Sequence, residues 1–384
     1  MKSHHKTRKV HEFPNIISVE RQPCLGGFFE PSLTQIEADL EKLQDYFKSS
    51  TVGLILPLAS ERETQTFTKT LNYAIQCGIE PERIIIVYSP KAQFIIDNLK
   101  VLAKNCILLN ESEIRNLLNV EKIHSLFGVN LAEQRGKGRA ITLAFIFLKY
   151  VCSWDDLQDL FILDVDTNIT EYQPLHYLGY IQAAFPDQHR LFLLTAQNNV
   201  LRDNHYLFIM RDSWKSENHL GHLYAQHLNQ LVWSLSGEIV IRWGTLSEKA
   251  PFSVGYGLET IWQLFAAEQL EYSSKTDTPY KVAQVVNPQT KIDGGFIGQN
   301  GRCYDAVMYR QINFLTWSVI KYGKPLGYFT VSDYQKLNAN LKQVRETTVL
   351  PDNEDHGPPY RVTLTSDLLI PPIAMLASQG CLYV

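Results

Sequence analysis

The sequence predicts an α/β fold: a mostly parallel central sheet flanked by helices, followed by a mixed α+β C-terminal portion. Three observations predict it. Between residues 50 and 200, near-continuous Ile/Val/Leu strands alternate with helical stretches, as a sheet covered on both faces requires. Past residue 200, shorter strands mix with Gly-containing loops. Finally, the apolar run Phe161-Ile162-Leu163 ends in Asp164-Val165-Asp166, a strand delivering two carboxylates to a sheet edge. In open α/β sheets ligands collect at that end of the strands.

Taken in order, residues 1–50 read as an N-terminal extension and a helix. Pro14, Pro23, Pro31 and the Gly26-Gly27 pair keep the first part irregular, behind a basic start at Lys2, Lys6, Arg8 and Lys9. Ser32 followed by Gln35 is a capping-box arrangement. It opens a helix whose Leu33, Ile36, Leu40, Leu43 and Phe47 fall on one face.

Residues 51–200 form the α/β half. VGLILPL (52–58), RIIIVY (83–88) and CILLN (106–110) are its first strands, with a helix between the first two ending near Gly78. Ser89-Pro90 opens another helix, with proline at its favoured first position. A helical stretch at 111–127 precedes Gly136-Lys137-Gly138, which starts the apolar helix AITLAFIFLKYV. The Asp164 strand, a helix over 171–185 and a strand over 191–194 continue the alternation. Residues 201–330 carry SLSGE, PFSVGYGLET, KVAQVV and an apolar helix over 305–322. Residues 331–384 supply an amphipathic helix, near 332–345, and a Pro-rich tail. No composition break separates these parts, which predicts one unit.

A net charge of -4 gives no reason to expect nucleic acid as a partner. The six cysteines include no Cys-x-x-Cys pair, which argues against a zinc ribbon and fits reduced thiols. No signal-peptide core and no run of about 18 apolar residues is present. The expected compartment is the cytoplasm, with no transmembrane segment.

Three motifs are candidates for chemistry. Asp164 and Asp166, two apart at a strand end, suit a hard divalent cation such as Mg²⁺ or Mn²⁺, and through it a nucleotide diphosphate. A solvated strand terminus or a turn cap is the structural alternative. Lys137 at a helix start adds a full positive charge where free backbone N–H groups favour an anion. In Gly255-Tyr256-Gly257-Leu258-Glu259, Tyr256 offers a ring to a sugar or acceptor and Glu259 an oxygen to sugar hydroxyls. An acid in a first helical turn also has a purely structural rationale. A P-loop, a zincin pair and a serine-hydrolase elbow are absent.

In order, LPLASERE (56–63), RGKGRAI (135–141), ILDVD (162–166), LSGE (235–238), PFSVGYGLET (251–260) and AQVVNPQTKID (283–293) resemble a glycosyltransferase of the GT-A fold. More narrowly, they resemble the retaining glucosyl-3-phosphoglycerate synthase and mannosylglycerate synthase group. The resemblance implies a nucleotide-sugar-binding half at 51–200 and an acceptor-side half at 201–330. It assigns Pro57, Leu58, Ala59, Ser60, Glu61 and Ser89 to the nucleotide, Lys137 to the donor, and Asp164 and Asp166 to ribose and metal. Tyr256 and Glu259 would position sugar and acceptor. The implied donor is a UDP- or GDP-hexose, UDP-glucose among them, and the cofactor a divalent cation. The acceptor is a small molecule or a glycan, and a homodimer is a compatible assembly.

Two departures stand out. The family's metal-binding histidine is replaced by Asp293, still an oxygen ligand for a hard cation. The family's Gly-Arg acceptor loop reads Gly221-His222, which removes a bidentate cation and leaves Arg202, Arg211 or Lys215 as substitutes. The expected activity is metal-dependent hexosyl transfer with retention, onto a hydroxyl acceptor such as glycerate or phosphoglycerate. The alternatives are an inverting transferase of surface polysaccharide synthesis, with Glu238 as base, and a non-catalytic sugar-nucleotide-binding protein.

Overall fold

Leu54, Ile55, Leu56, Ile84, Ile85, Ile86 and Val87 are all fully buried. Strands apolar on both faces have one stable place, the interior of a sheet with helices on either side. The computed structural model describes residues 18–19, 27–29, 31–60, 63–98, 103–152, 154–165, 173–184, 193–196, 214–215, 217–228, 237–272, 282–285, 301–350 and 360–383. The strands are β1 Ser18–Val19, β2 Gly27–Phe29, β3 Val52–Leu58, β4 Ile84–Tyr88, β5 Ile107–Asn110, β6 Asp159–Ile162, β7 Leu193–Ala196, β8 Ile239–Arg242, β9 Phe252–Ser253, β10 Val282–Val285, β11 Arg345–Leu350, β12 Tyr360–Thr365 and β13 Leu369–Ile370.

One sheet takes the order β1-β2-β10-β7-β8-β6-β3-β4-β5. β3 lies parallel to β4 and β6, and β4 to β5. β10 lies parallel to β2 and β7. The expected mostly parallel sheet is therefore present, with one interior exception. β8 runs antiparallel between β6 and β7, a strand not foreseen beyond the SLSGE motif. Its direction matters for the site, because its first residues lie beside the last residues of β6: Ile239 pairs with Ile162. Strands from both sides of residue 200 thus share this sheet.

Side-chain alternation divides the core into two layers. Ile55, Ile85 and Val87 join the layer that contains the Lys137–Tyr150 and Leu258–Tyr272 helices. Leu54, Leu56, Ile84 and Ile86 face the opposite layer, with the Leu40–Phe47, Thr64–Cys77 and Pro174–Ala184 helices. Each such Leu or Ile contributes roughly 1.5–3 kcal/mol on full burial. Lys137 and Glu259 belong to helices of one layer only.

Three local expectations change. The first helix is two, Leu33–Ala38 and Leu40–Phe47, divided at Asp39, whose ψ of 15 breaks the helical run. Leu33 is 37% exposed, so the apolar face begins at Ile36. The Ser32–Gln35 capping box is present. The strand ending at Asp166 is shorter: β6 stops at Ile162, Leu163 donates its N–H to Ile55 O, and Asp164 stands just past the strand. Lastly, the Pro-rich tail is structured. β11 and β12 form a hairpin, β13 pairs antiparallel with β9, and an Ile373–Ser378 helix follows. The residues between the hairpin strands, 351–359, lie outside the described residues.

Candidate active site

Lys137 is the first residue of the Lys137–Tyr150 helix. The expectation that free amides there await an anion is not met. Gly138 and Arg139 donate their N–H groups to Gly255 O at 3.0 Å and Val254 O at 2.8 Å. A Cβ on Gly136 would lie 2.5 Å from Val254 O, and one on Gly138 2.1 Å from Ser253 O. Both glycines are therefore explained by two backbones in close contact. The positive charge available at this helix start is the Lys137 ammonium itself.

That ammonium joins two of the sequence motifs to its own. Its Nζ lies 2.6 Å from Asp164 Oδ1 and 2.7 Å from Glu259 Oε1. Burial alone would depress the Lys137 pKa, but the two carboxylates outweigh it and hold the amine protonated. For Glu259, burial pushes the carboxyl up, Lys137 opposes it and the neighbouring Asp164 charge adds to it. Among the described residues, one cation between two carboxylates leaves a net negative charge when all are ionised. Such a cluster repels a bare diphosphate and attracts a metal ion.

Gly237 sits against this cluster. The antiparallel run of β8 brings it there, and a Cβ on it would lie 1.6 Å from Asp164 Oδ2 and 2.5 Å from Lys137 Nζ. Only a glycine lets the SLSGE backbone approach so closely. Its neighbour Glu238 is 0% exposed. Its side chain is enclosed by the protein.

At the carboxyl end of β3, Pro57, Leu58, Ala59 and Ser60 enter a loop closed by Glu63. The Glu63 carboxylate accepts the N–H of Ala59 at 2.8 Å and of Ser60 at 3.2 Å. Burial raises its pKa, the two amides lower it, and the Asp164 charge raises it further. Ser89, at the end of β4, donates its N–H to Leu58 O at 3.0 Å and its hydroxyl to Ala59 O. Leu58 points inward, whereas Ala59 is exposed. The sequence-assigned nucleotide loop and Ser89 are thus in contact.

Tyr256 lies on the loop between β9 and the Leu258–Tyr272 helix, 37% exposed and flanked by two glycines. The Asp367 carboxylate accepts the N–H of Gly255 at 2.8 Å and of Gly257 at 3.0 Å.

Solved structures of glucosyl-3-phosphoglycerate synthase from Mycobacterium tuberculosis superpose on this architecture. One holds Mn²⁺, uridine diphosphate and phosphoglyceric acid. It matches with a TM-score of 0.55 at 15% identity, covering 88% of this chain and 95% of its own. A second, with Mn²⁺ and uridine-diphosphate-glucose, gives a TM-score of 0.54 at 16% identity, covering 91% and 97%. A third, with phosphoglyceric acid, gives 0.55 at 15% identity, covering 91% and 98%. The chain has the fold of glucosyl-3-phosphoglycerate synthase. The GT-A α/β architecture expected from the sequence is the observed one. No family model and no curated relative matches the sequence.

The pair Gly221-His222, assigned to the acceptor from the sequence, differs from the expectation of a loop. Both residues lie in the His219–Leu228 helix. Gly221 is a packing glycine: a Cβ there would lie 2.0 Å from Trp214 O and 3.2 Å from the Ile320 side chain. His222 and Lys215 are exposed. Glu61, Asp166, Asp293, Arg202 and Arg211 lie outside the described residues. Among the described residues no group of three or more His, Cys, Asp or Glu could hold a metal ion, and no helix is long and apolar enough to cross a membrane.

Two residues of the site were missed by sequence reasoning. Glu63 had a local signal, an acid just past the loop that it closes. Asp367 had none, because it lies 112 residues from Gly255.

Proposed function

We propose that this protein is a metal-dependent glycosyltransferase that moves a hexose from a nucleoside-diphosphate sugar to a hydroxyl acceptor, with retention of configuration. One observation carries the reading. Lys137, Asp164 and Glu259, from three separate motifs, meet at a single ion cluster at the carboxyl end of the sheet. The fold shared with a synthase whose structures contain uridine-diphosphate-glucose supports it.

In this reading the loop of Pro57, Leu58, Ala59 and Ser60, with Glu61 and Ser89, holds base and ribose, and Asp164 takes a ribose hydroxyl. Asp166 and Asp293 would hold the divalent cation, which when bound neutralises charge on the diphosphate. Lys137 stays protonated and turns toward the leaving diphosphate, stabilising charge that develops as the glycosidic bond breaks. Glu259 accepts hydrogen bonds from sugar hydroxyls, and Tyr256 covers the sugar or acceptor. The acceptor oxygen attacks from the face the diphosphate leaves, and its proton passes to that phosphate, so no protein nucleophile is needed. Glycerate or phosphoglycerate is the proposed acceptor class. The enclosed Glu238 gives an inverting base little support.

The test is binding and donor hydrolysis with a panel of nucleotide sugars, with Mn²⁺ or Mg²⁺ and without. Metal-dependent binding that disappears in Asp166→Ala is expected. If no nucleotide sugar binds, or if Asp166→Ala binds normally, the reading is wrong. Anomeric analysis of the product decides retention.

A further inference from the structure

The loop that carries Tyr256 and leads into Glu259 is held from two sides. On one side the N-terminus of the Lys137–Tyr150 helix takes its carbonyls, with Arg139 N–H on Val254 O and Gly138 N–H on Gly255 O. On the other side the C-terminal segment takes its amides. Asp367 accepts from Gly255 and Gly257, and also from Leu368 N–H at 2.8 Å. Val254 donates its N–H to Leu368 O at 2.9 Å, and the β13–β9 pairing continues the contact. All of these bonds except the Leu368–Asp367 one orient a peptide plane of the loop.

The two glycines follow from this arrangement. A Cβ on Gly255 would lie 3.0 Å from an Asp367 carboxylate oxygen, and one on Gly257 3.1 Å from the same oxygen and 2.6 Å from Leu315. The Gly-Tyr-Gly spacing therefore makes room for one buried carboxylate beneath the loop, while Tyr256 between them remains exposed. Asp367 itself is only 9% exposed. A carboxylate accepting several backbone N–H bonds is a rigid anchor, since each bond is charge-assisted.

We propose that Asp367 is a positioning residue for hexosyl transfer: it fixes the Gly255–Gly257 backbone, and through it the placement of Tyr256 and Glu259 relative to Lys137. The C-terminal segment is then part of the active site although it supplies no group to the substrate. This rests on the glycosyltransferase reading above. It separates two halves of the site, because the nucleotide loop is anchored independently, by Glu63 and Ser89.

The experiment uses the full chain and its Asp367→Ala and Asp367→Asn variants. Hydrogen exchange is read at Gly255 and Gly257, with β3 and β4 amides as internal references. In Asp367→Ala the two loop amides should exchange at least roughly tenfold faster while the references keep their protection. With a nucleotide sugar that the wild type turns over, kcat should fall roughly tenfold to a hundredfold while nucleotide affinity stays within about twofold. Asp367→Asn keeps one acceptor oxygen and should recover part of both losses. Where Asp367→Ala does not fold, Asp367→Asn carries the same two readouts. Unchanged exchange at Gly255 and Gly257, unchanged kcat, or a parallel loss of kcat and nucleotide affinity would each overturn the proposal. If the wild type turns over no nucleotide sugar, the glycosyltransferase reading has failed, and so has this role in transfer. The exchange data would then report only whether Asp367 anchors the loop.

Discussion

Lys137 Nζ lies 2.6 Å from Asp164 Oδ1, joining a helix start to the loop just past β6. With Glu259 on its other side, the amine bridges two carboxylates of a largely enclosed cluster. Removing it leaves two carboxylates facing each other. Lys137→Met should cost about 3 kcal/mol of stability and reduce turnover by roughly 10²–10³-fold. Urea titration and initial-rate kinetics measure the two effects. In an Asp164→Asn background the stability cost of Lys137→Met should shrink, which a double-mutant cycle reads directly.

For the proposed transferase, charge balance predicts a metal requirement. Among the described residues the cluster holds one cation and two carboxylates, a balance that disfavours a bare diphosphate. Chelation of divalent ions should weaken UDP binding by at least roughly tenfold, measured by calorimetry with and without EDTA. Equal affinity in both conditions would contradict this electrostatic picture.

Gly237 has no room for a methyl group, because its Cβ would fall 1.6 Å from Asp164 Oδ2. Gly237→Ala must push Asp164 off Lys137 or shift the start of β8. It should destabilise the fold by about 1–3 kcal/mol and weaken nucleotide binding. The thermal midpoint and a UDP titration test it together. Gly244, with nothing near its Cβ, makes a poor control because its φ of +107 strains any side chain.

Glu268 titrates near neutrality. Its buried carboxyl accepts N–H from Leu326 at 2.8 Å and Gly327 at 3.0 Å and a hydroxyl from Tyr224. Burial pushes its pKa up to about 7 against those bonds. Between about pH 4.5 and 7 the folded protein keeps a proton that the unfolded chain has released, so the unfolding free energy falls as pH rises. The slope should be about 1.4 kcal/mol per pH unit over that window. Denaturation at several pH values should show it in the wild type and lose it in Glu268→Gln.

Much of this was legible in the sequence because the signals were local. VGLILPL is β3 to the residue, Gly78 closes its helix in the left-handed conformation, and Ser32 and Gln35 form their capping box. Lys137, Asp164 and Glu259 were each read from a local motif and brought to one donor only by the resemblance; their direct ion pairs were not visible. The Lys137–Glu259 contact joins residues 122 positions apart, which no local residue pattern encodes. The helix-start reading at Lys137 failed for a similar reason. The amides it counted as free are used by Val254 and Gly255, more than a hundred residues away. Gly221 looked like a loop residue, but its hydrogen side chain serves helix packing against Trp214.

The clasp formed by Asp367 also has a temporal side. A chain made from its N-terminus has synthesised Lys137, Asp164 and Glu259 long before the residue that anchors the loop between them. The separation from Gly257 to Asp367 is 110 residues, which at ordinary elongation rates is roughly 6–20 s of translation. Throughout that interval the nascent chain has its ion cluster's side chains but not the contact that orients the Tyr256 loop. Ordering of the Tyr256 loop is thereby deferred until Asp367 has been made.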